Sequence, residues 1–254
     1  ESIRGAEQGQ EQYNDRIRDG QTAGKGLLNT VKSLVGAYAG IQGIQKLISA
    51  SDAFVQTEAR LKNMIGDSGD LVQIQKQILA SANDARASYT DTAAAIAKMG
   101  TLAGDAFSDP MGNINTDELI KFTELMNKNF VVGGSSAMEQ ASAMYQLTQA
   151  MAAGKLQGDE YRSIVDSAPQ LADAIEEYMV NVQNAEGSMK DWAAEGLLTA
   201  DVIKAAMFNS AEDVEAKFSD MPMTWGQVWT LMGNYATIAL KPVLMFVSAL
   251  ANNL

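Results

Sequence analysis

The stretch of sequence that most clearly sets the fold is SAMEQASAMYQLTQAMAAG, residues 136–154. Ser136 and Glu139 have the spacing of a capping box, in which each side chain accepts a hydrogen bond from the other residue's backbone N–H at the start of a helix. Apolar side chains then recur every three or four residues, and Gly154 follows where such a helix would end. The pattern predicts an amphipathic α-helix with a defined start and a defined end.

The same pattern extends in both directions along the chain. No stretch of useful length alternates apolar and polar residues as a half-buried strand does, and alanine, glutamine, leucine and methionine are good helix formers. We therefore predict an all-α fold, a multi-helix compact bundle with a long amphipathic N-terminal helix and an apolar C-terminal helix. The further predicted helices are 27–66, one from Leu71, 90–104, one from Asp117 to about Asn129 with Thr116 as its N-cap, one begun by Pro169, one begun after Ser188 and one begun by Thr199.

Three segments differ in composition. Residues 1–26 are polar and rich in glycine, which predicts an arm or a frayed helix. Residues 27–221 carry the amphipathic pattern of a helical domain, and residues 222–254 are the most apolar part of the chain, which predicts a separate C-terminal helix. The first residue is not Met, so we expect a fragment or a processed chain.

The charge and the absent residue types disfavour several classes of function. The chain has 254 residues and a formal net charge of −12, with 19 basic residues scattered among 31 acidic ones. Proteins that grip nucleic acid through its phosphates need clustered Lys and Arg, so we expect no sequence-independent DNA binding by this segment. We also expect no sequence-specific nucleic-acid partner. Cysteine and histidine are both absent, which removes the commonest metal ligands and the commonest general base. We predict no catalytic, cofactor-binding or metal site, and no cofactor.

Structural roles are the preferred interpretation of the remaining chemically distinctive side chains. Asp159 and Glu160 are expected to stabilise a helix N-terminus through the helix dipole rather than to form an acid–base pair. Tryptophans are expected to anchor packing, and the methionines of the 136–154 helix to lie in the core. These residues are Trp192, Trp225, Trp229, Met138, Met144 and Met151.

The last thirty residues allow three interpretations. The apolar run 235–250 is shorter than the roughly 20 residues of a spanning helix, and it contains Lys241 and Pro242. It is either a buried or self-associating helix, a short membrane-active segment, or a truncated helix whose partner lies outside this sequence.

Two blocks of sequence resemble a known family. Residues 146–175 read QLTQAMAAGKLQGDEYRSIVDSAPQLADAI, and residues 187–207 read GSMKDWAAEGLLTADVIKAAM. Glycine, proline and helix-capping residues at these spacings resemble the tape measure domain near the N-terminus of phage tail tape measure proteins, over about residues 45–235. The positions that carry the match are Gln146, Leu147, Gln149, Ala150, Gly154, Leu156, Gly158, Glu160, Ile164, Pro169, Leu171, Gly196 and Thr199.

The resemblance implies a structural, non-enzymatic component of a phage or prophage tail. Such proteins set tail length, act in assembly at the tail tip and leave the tube with the DNA. The implied location is the lumen of the virion tail, and the host cytoplasm during assembly. The implied partners are the tail tube protein, tail tip or baseplate hub proteins, tail assembly chaperones and two or five further copies of the same chain, with transient membrane contact during DNA entry.

A competing hypothesis is a membrane-active helical protein that forms or aids a channel for DNA entry. It is motivated by the apolar run 235–250 and by the glycines between 36 and 43, which follow the small-residue spacing of closely packed helices. A second question is whether this segment is itself the ruler. A fully helical chain of this length would span about 380 Å, whereas frequent glycine breaks predict a compact head with the ruler elsewhere.

Overall fold

The computed structural model describes residues 41–66 and 69–251. In this part of the chain the regular structure is helical, apart from two isolated bridges, which confirms the all-α prediction. The α-helices are α1 Ile41–Ile65, α2 Leu71–Asp84, α3 Tyr89–Leu102, α4 Thr116–Val132, α5 Ala137–Ala152, α6 Gly158–Ser167, α7 Pro169–Asn181, α8 Met189–Glu195, α9 Ala200–Asn209, α10 Ala211–Asp220, α11 Trp225–Ala239 and α12 Lys241–Ala251. A short 3-10 helix, Gly104–Phe107, lies between α3 and α4.

Helix α1 forms the described part of the predicted long N-terminal helix. The prediction covered residues 27–66, and residues 41–65 are helical. Residues 27–40, and the predicted arm at 1–26, lie outside the described residues.

The predicted helix starts are set by capping side chains. The capping box of α5 is present, since the Ser136 N–H donates to Glu139 Oε2 at 2.7 Å and the Glu139 N–H donates to Ser136 Oγ at 3.4 Å. Ser188 forms an equivalent box at α8, and Pro169 is the first residue of α7 as predicted.

One predicted cap was wrong by a residue. Asn115, not Thr116, caps α4, because its side-chain oxygen accepts a hydrogen bond from the Glu118 N–H at 3.1 Å. Thr116 already lies inside the helix. Asparagine is as good an N-cap as threonine or better, so the residue that lies just outside the helix takes the role.

The backbone contacts divide the chain into two units. In the first unit, which comprises residues up to Val55 and from Ala239 onward, the Ser51 hydroxyl donates to the Leu244 carbonyl. The Lys241 ammonium lies 5.8 Å from the centroid of the Phe54 ring. The three-segment division expected from composition stays a prediction.

The predicted C-terminal helix is two helices, α11 and α12. The break falls at Leu240, and Pro242 lies in the first turn of α12, where a missing N–H costs no helical hydrogen bond. Among the described residues, no single helix has the length and apolar composition to cross a membrane. One bent pair, Trp225–Ala239 with Lys241–Ala249, meets that test by length and composition only.

Helix α4 lies at the centre of the second unit, residues 56–238. It packs against α2, α3, α7, α9 and α10. Side chains on nearly all of its faces are buried, as expected for a helix enclosed by others. The buried residues are Leu119, Ile120, Phe122, Thr123, Glu124, Leu125, Met126, Lys128, Asn129 and Phe130.

Two of these buried residues are charged, and they belong to a cluster that joins α4 to α10. The Lys128 ammonium lies 2.8 Å from Glu124 Oε1 and 2.6 Å from Glu215 Oε1. The Lys121 ammonium lies 2.7 Å from the same Glu124 oxygen and 3.2 Å from Glu215. We call these four residues the α4–α10 charge cluster. A buried charge is tolerated only when it is paired and hydrogen-bonded, so the cluster specifies where α10 docks.

The cluster shifts the pKa values of two of its members. Burial by itself raises the pKa of Glu215, but hydrogen bonds from Lys128 and Lys121 and their charges outweigh it, and the pKa is lowered. Burial lowers the pKa of Lys121, but the hydrogen bonds and charges of Glu124 and Glu215 outweigh it, and the pKa is raised. Both shifts favour the charged forms at neutral pH.

The turn between α2 and α3 holds the last two helices of the second unit. The Arg86 guanidinium lies 4.4 Å from the centroid of the Phe218 ring in α10, and it donates to the Met221 carbonyl at 2.9 Å. The Asn234 side chain of α11 accepts a hydrogen bond from the Tyr89 N–H at 2.7 Å. The turn thus positions α10 and α11 in the fold.

The predicted core positions were partly right. Trp192 is 1% exposed, and Met144 and Met151 are buried, as predicted. Trp225, Trp229 and Met138 were predicted to pack inside and do not, since their exposed fractions are 79%, 66% and 83%. Met138 lies in the first turn of α5, on its outer side. The two tryptophans lie on the face of α11 opposite the buried Asn234.

Replacing Lys128 with Met should destabilise the second unit by about 3 kcal/mol, because the buried Glu124 loses its closest buried partner. The control Lys217→Met removes an exposed pair with Asp213 on α10 and should cost under about 1 kcal/mol. Urea unfolding near neutral pH measures both. Equal losses in the two variants would contradict a stabilising role for the cluster.

Acid should weaken the contribution of Glu215. Its pKa is lower in the folded state than in the unfolded state, so its stabilisation is present above the unfolded value and is lost as the pH falls through the folded value. Glu215→Gln should therefore narrow the difference in unfolding free energy between about pH 7 and about pH 3. The exposed Glu212→Gln on the same helix is the control, and an unchanged difference in the Glu215 variant would contradict the pairing.

Candidate functional site

The two blocks of sequence that carry the family resemblance meet at a pair of turns. One turn, residues 153–157, follows α5, and the other, residues 196–199, follows α8. The Leu156 N–H donates to the Leu198 carbonyl at 2.8 Å, and the Ala200 N–H donates to the Gly154 carbonyl at 2.9 Å. We call residues 153–157 and 196–199 the paired turns. Backbone hydrogen bonds between the paired turns therefore join two motifs that are distant in sequence. Bonds of this kind do not depend on side-chain identity.

Two motif glycines make the paired turns possible. Gly154 has φ +76° and Gly196 has φ +72°, in the left-handed region that other L-residues adopt only at a cost. In each case the residue follows a helix and reverses the chain, as glycine commonly does after a helix C-terminus. Each motif therefore ends its helix at the place where the two turns pair.

A motif threonine starts the next helix from the second turn. The Thr199 hydroxyl oxygen accepts a hydrogen bond from the Val202 N–H at 3.2 Å and caps α9, as the sequence predicted. The N-cap leaves the Thr199 backbone extended, and this conformation suits its isolated bridge to Lys155. One residue thus serves both the helix and the paired turns.

The apolar motif positions lie in the core of the second unit. Five of them are fully buried, which explains why the motif needs aliphatic residues there. These are Leu147, Ala150, Leu156, Ile164 and Leu171. Pro169, by contrast, is exposed, and its role is to begin α7.

The polar motif positions are not brought together. Gln149 donates to the Tyr145 hydroxyl at 2.9 Å on the exposed side of α5, and Gln146 is half-buried on the same helix. Glu160 lies in the first turn of α6, the helix that Gly158 begins, together with Asp159. Their place at a helix N-terminus agrees with the expected interaction with the helix dipole. Asp159 is paired with exposed Arg162 at 3.2 Å.

Among the described residues the motif forms no metal cluster, and a small pocket that Pro169 and Leu171 help to line has no room for a water molecule. In the described residues no group of three or more Asp and Glu side chains is placed to hold a metal ion. A surface cleft of about 620 Å³ lies between the end of α1, the start of α2 and residues 112–117, and no motif position lines it. The motif residues that the structure brings together are glycines, a threonine and buried aliphatic side chains. That arrangement is suited to fixing the positions of helices rather than to chemistry.

Sequence reasoning missed several residues of this region. Leu198 is fully buried and supplies the carbonyl that accepts from Leu156, but neighbouring Leu197 is half-exposed, and nothing local distinguishes the two leucines. Within the charge cluster, the Glu124–Lys128 spacing on one helix was a visible signal of pairing. Glu215 was not predictable, since it reaches the cluster only through the packing of α10 on α4.

The comparison with protein families gives one match. Residues 45–243, most of the chain, match a family model described as "Tape measure protein". The matched range contains both sequence blocks, the paired turns and all of helix α4. No curated protein and no solved structure shows a significant match to this chain.

Leu156→Ala should destabilise the second unit by about 2–5 kcal/mol, because it leaves a cavity under the paired turns. The control Leu197→Ala, in the opposite turn and half-exposed, should cost about 1 kcal/mol or less. Thermal and urea unfolding measure both changes. A loss in the Leu156 variant no greater than in the control would show that the paired turns do not stabilise the fold.

Proposed function

The chain belongs to the tape measure protein family, whose members are structural components of phage tails, and we propose that it serves as a folded assembly head of such a protein. In this proposal the full-length protein sets the length of the tail, and the ruler lies outside the segment described here. The head acts at the tail tip when assembly begins. The protein later leaves the tube with the DNA.

The observation that carries the head hypothesis is the pairing of the two turns. A segment that measures length must run extended, at 1.5 Å per residue if it is helical. Here Leu156 is hydrogen-bonded to Leu198, and helices α7 and α9 pack against each other and against α4. Contacts between parts of the chain that are distant in sequence prevent this unit from contributing its full contour length to a ruler.

The partners that we propose are proteins. They are the tail tube protein, tail tip or baseplate hub proteins, tail assembly chaperones and further copies of this chain, three or six in total. The proposed location is the tail lumen, and before assembly the host cytoplasm. The net charge of −12 supports protein partners over DNA, because it disfavours gripping a phosphate backbone. We assign this segment no catalytic step.

The membrane-active alternative stays a prediction. It is tested by dye leakage from liposomes exposed to the purified chain at neutral and at acid pH. Leakage that depends on the chain would favour it, and intact liposomes in both conditions would contradict it.

Deletion of residues 136–207 from a phage whose tape measure protein contains this chain should abolish tails or give aberrant assemblies, as seen by negative-stain microscopy. Leu156→Asp is the matched variant, because it disrupts the same core without changing the length of the chain. We expect the same assembly defect from both.

Complete tails from the deletion phage that are shorter by the deleted helical length would contradict the head hypothesis. In that case Leu156→Asp should leave tail length unchanged, and the segment would be part of the ruler. The two variants therefore separate an assembly role from a measuring role.

A further inference from the structure

Helix α11 presents four large apolar or aromatic side chains to solvent and buries one polar side chain, Asn234. Trp225, Trp229 and Met232 are exposed, and Tyr235 is exposed at the edge of the same surface. We call these four residues the α11 stripe. Asn234, which lies about two and a half turns beyond Trp225 and so on the opposite face, is 4% exposed. Other apolar side chains of the helix are half-buried. The α11 stripe is therefore a second apolar face, on the side where a surface helix usually carries polar residues.

Hydrogen bonds of Asn234 fix the direction in which the stripe points. Its side-chain oxygen accepts from the Tyr89 N–H at 2.7 Å, and its amide donates to Asn83 Oδ1 at 2.9 Å and to the Ala87 carbonyl at 2.8 Å. A buried amide that forms three hydrogen bonds, with the turn between α2 and α3 and with the adjoining ends of these helices, allows little rotation of α11 about its axis. The α11 stripe is therefore held outward by the fold.

We propose that the α11 stripe is a self-association surface that packs against the same helix of a second copy of this chain. Three stripe residues, Trp225, Trp229 and Met232, are separated by four and three residues, which is the heptad spacing of helices that pair with an equivalent helix. The exposed Ala236, next to the stripe, continues this spacing four residues on. An apolar patch of this kind is complementary to itself, as a symmetric contact between identical chains requires.

Charge favours a second copy at this face. One residue in five of the chain is charged, yet residues 221–240 contain no Asp, Glu, Lys or Arg. Two molecules that each carry a net charge of −12 repel each other least where such an uncharged face meets its equivalent. A partner that recognised this chain by ion pairs would find no charged group on the stripe.

The exposed area of the α11 stripe is comparable to the area that each partner buries in a stable protein interface. Two tryptophans and a tyrosine exposed by about two thirds or more, with Met232, offer on the order of 600 Å². A standard interface buries about 800 Å² on each partner. The stripe therefore supplies most of one side of a stable contact.

Gly233 independently supports the packing of a second helix against α11. It lies beside Trp229 on the helix surface, and a Cβ built on it would meet no atom within 4 Å. Within the described part of the chain no neighbouring atom therefore requires a glycine there, although glycine weakens a helix interior. A small residue at this position lets a second helix approach closely.

The test uses the full chain, whose self-association is measured by sedimentation velocity at tens of micromolar. We expect more than one copy per particle, and roughly thirtyfold weaker association in the double variant Trp225→Glu, Trp229→Glu, because buried aromatic residues dominate such interfaces. The control Met138→Glu, an equally exposed apolar residue on α5, should associate as the unaltered chain does. Circular dichroism melting should be the same for all three proteins.

A second readout uses the absence of cysteine from the chain. Met232→Cys should form a disulfide-linked or bismaleimide-linked dimer under mild conditions, and Met138→Cys should not. Crosslinking at Met138 alone, or at both positions equally, would overturn the proposal.

Two further outcomes would also overturn it. One is a sedimentation result in which the unaltered chain stays monomeric at these concentrations, or in which the double variant associates as strongly as the unaltered chain. The other is a monomer whose tryptophan fluorescence shifts with neutral phosphatidylcholine vesicles through Trp225 and Trp229, since the occupant would then be a lipid surface. The α11 stripe as a self-association surface rests on the further copies of this chain in the proposed function. If the stripe does not mediate self-association, the assembly role is still tested separately by the morphology of tails from the deletion phage.

Discussion

The burial of helix α4 on nearly all sides is the constraint on which the rest of the second unit depends. Five helices cover it, so each must present a face that fits α4 as well as its other neighbours. Most of these contacts are apolar and have little directional preference. The exception is the α4–α10 charge cluster, where Lys128 and Glu124 are buried and must meet Glu215. A paired buried charge contributes little net stability, but an unpaired one is costly, so it penalises any other docking of α10.

The paired turns depend on this centre. Helices α7 and α9 pack on α4 and on each other, and α9 begins directly from the second turn at Thr199. The motif residues are therefore the points where chain reversal, helix capping and core packing coincide. This explains the pattern of glycine, threonine and aliphatic residues at fixed spacing without any chemical role. The assembly head that we propose would present partner surfaces on helices whose positions are fixed by these contacts.

Helix α11 shows what this fold leaves exposed. Its buried polar anchor is Asn234, which is hydrogen-bonded at the turn between α2 and α3, and the four residues of the α11 stripe point away from the protein. A surface helix usually carries polar residues on its outer face, whereas the outer face of α11 carries two tryptophans, a methionine and a tyrosine. Such an inversion is informative because isolated apolar residues on a surface are ordinary, whereas an aligned set with two tryptophans is not.

Local rules of the chain determined the all-α class, most helix ends and the buried aliphatic motif positions. Capping boxes at Ser136 and Ser188, Pro169 at a helix start and glycine after a helix end act over a few residues, so they are visible in the sequence. The family resemblance was visible for the same reason, since its motif consists of these local devices. Only the tertiary structure decided which helices meet. It joined Leu156 to Leu198 and Glu215 to Lys128, and it turned Trp225 and Trp229 outward against the prediction. The physical reason is that an apolar stripe in the sequence shows that a helix has a face to bury, but it does not show which other element packs against that face. Which element covers a given face depends on how all the apolar faces of the unit pack together in one core.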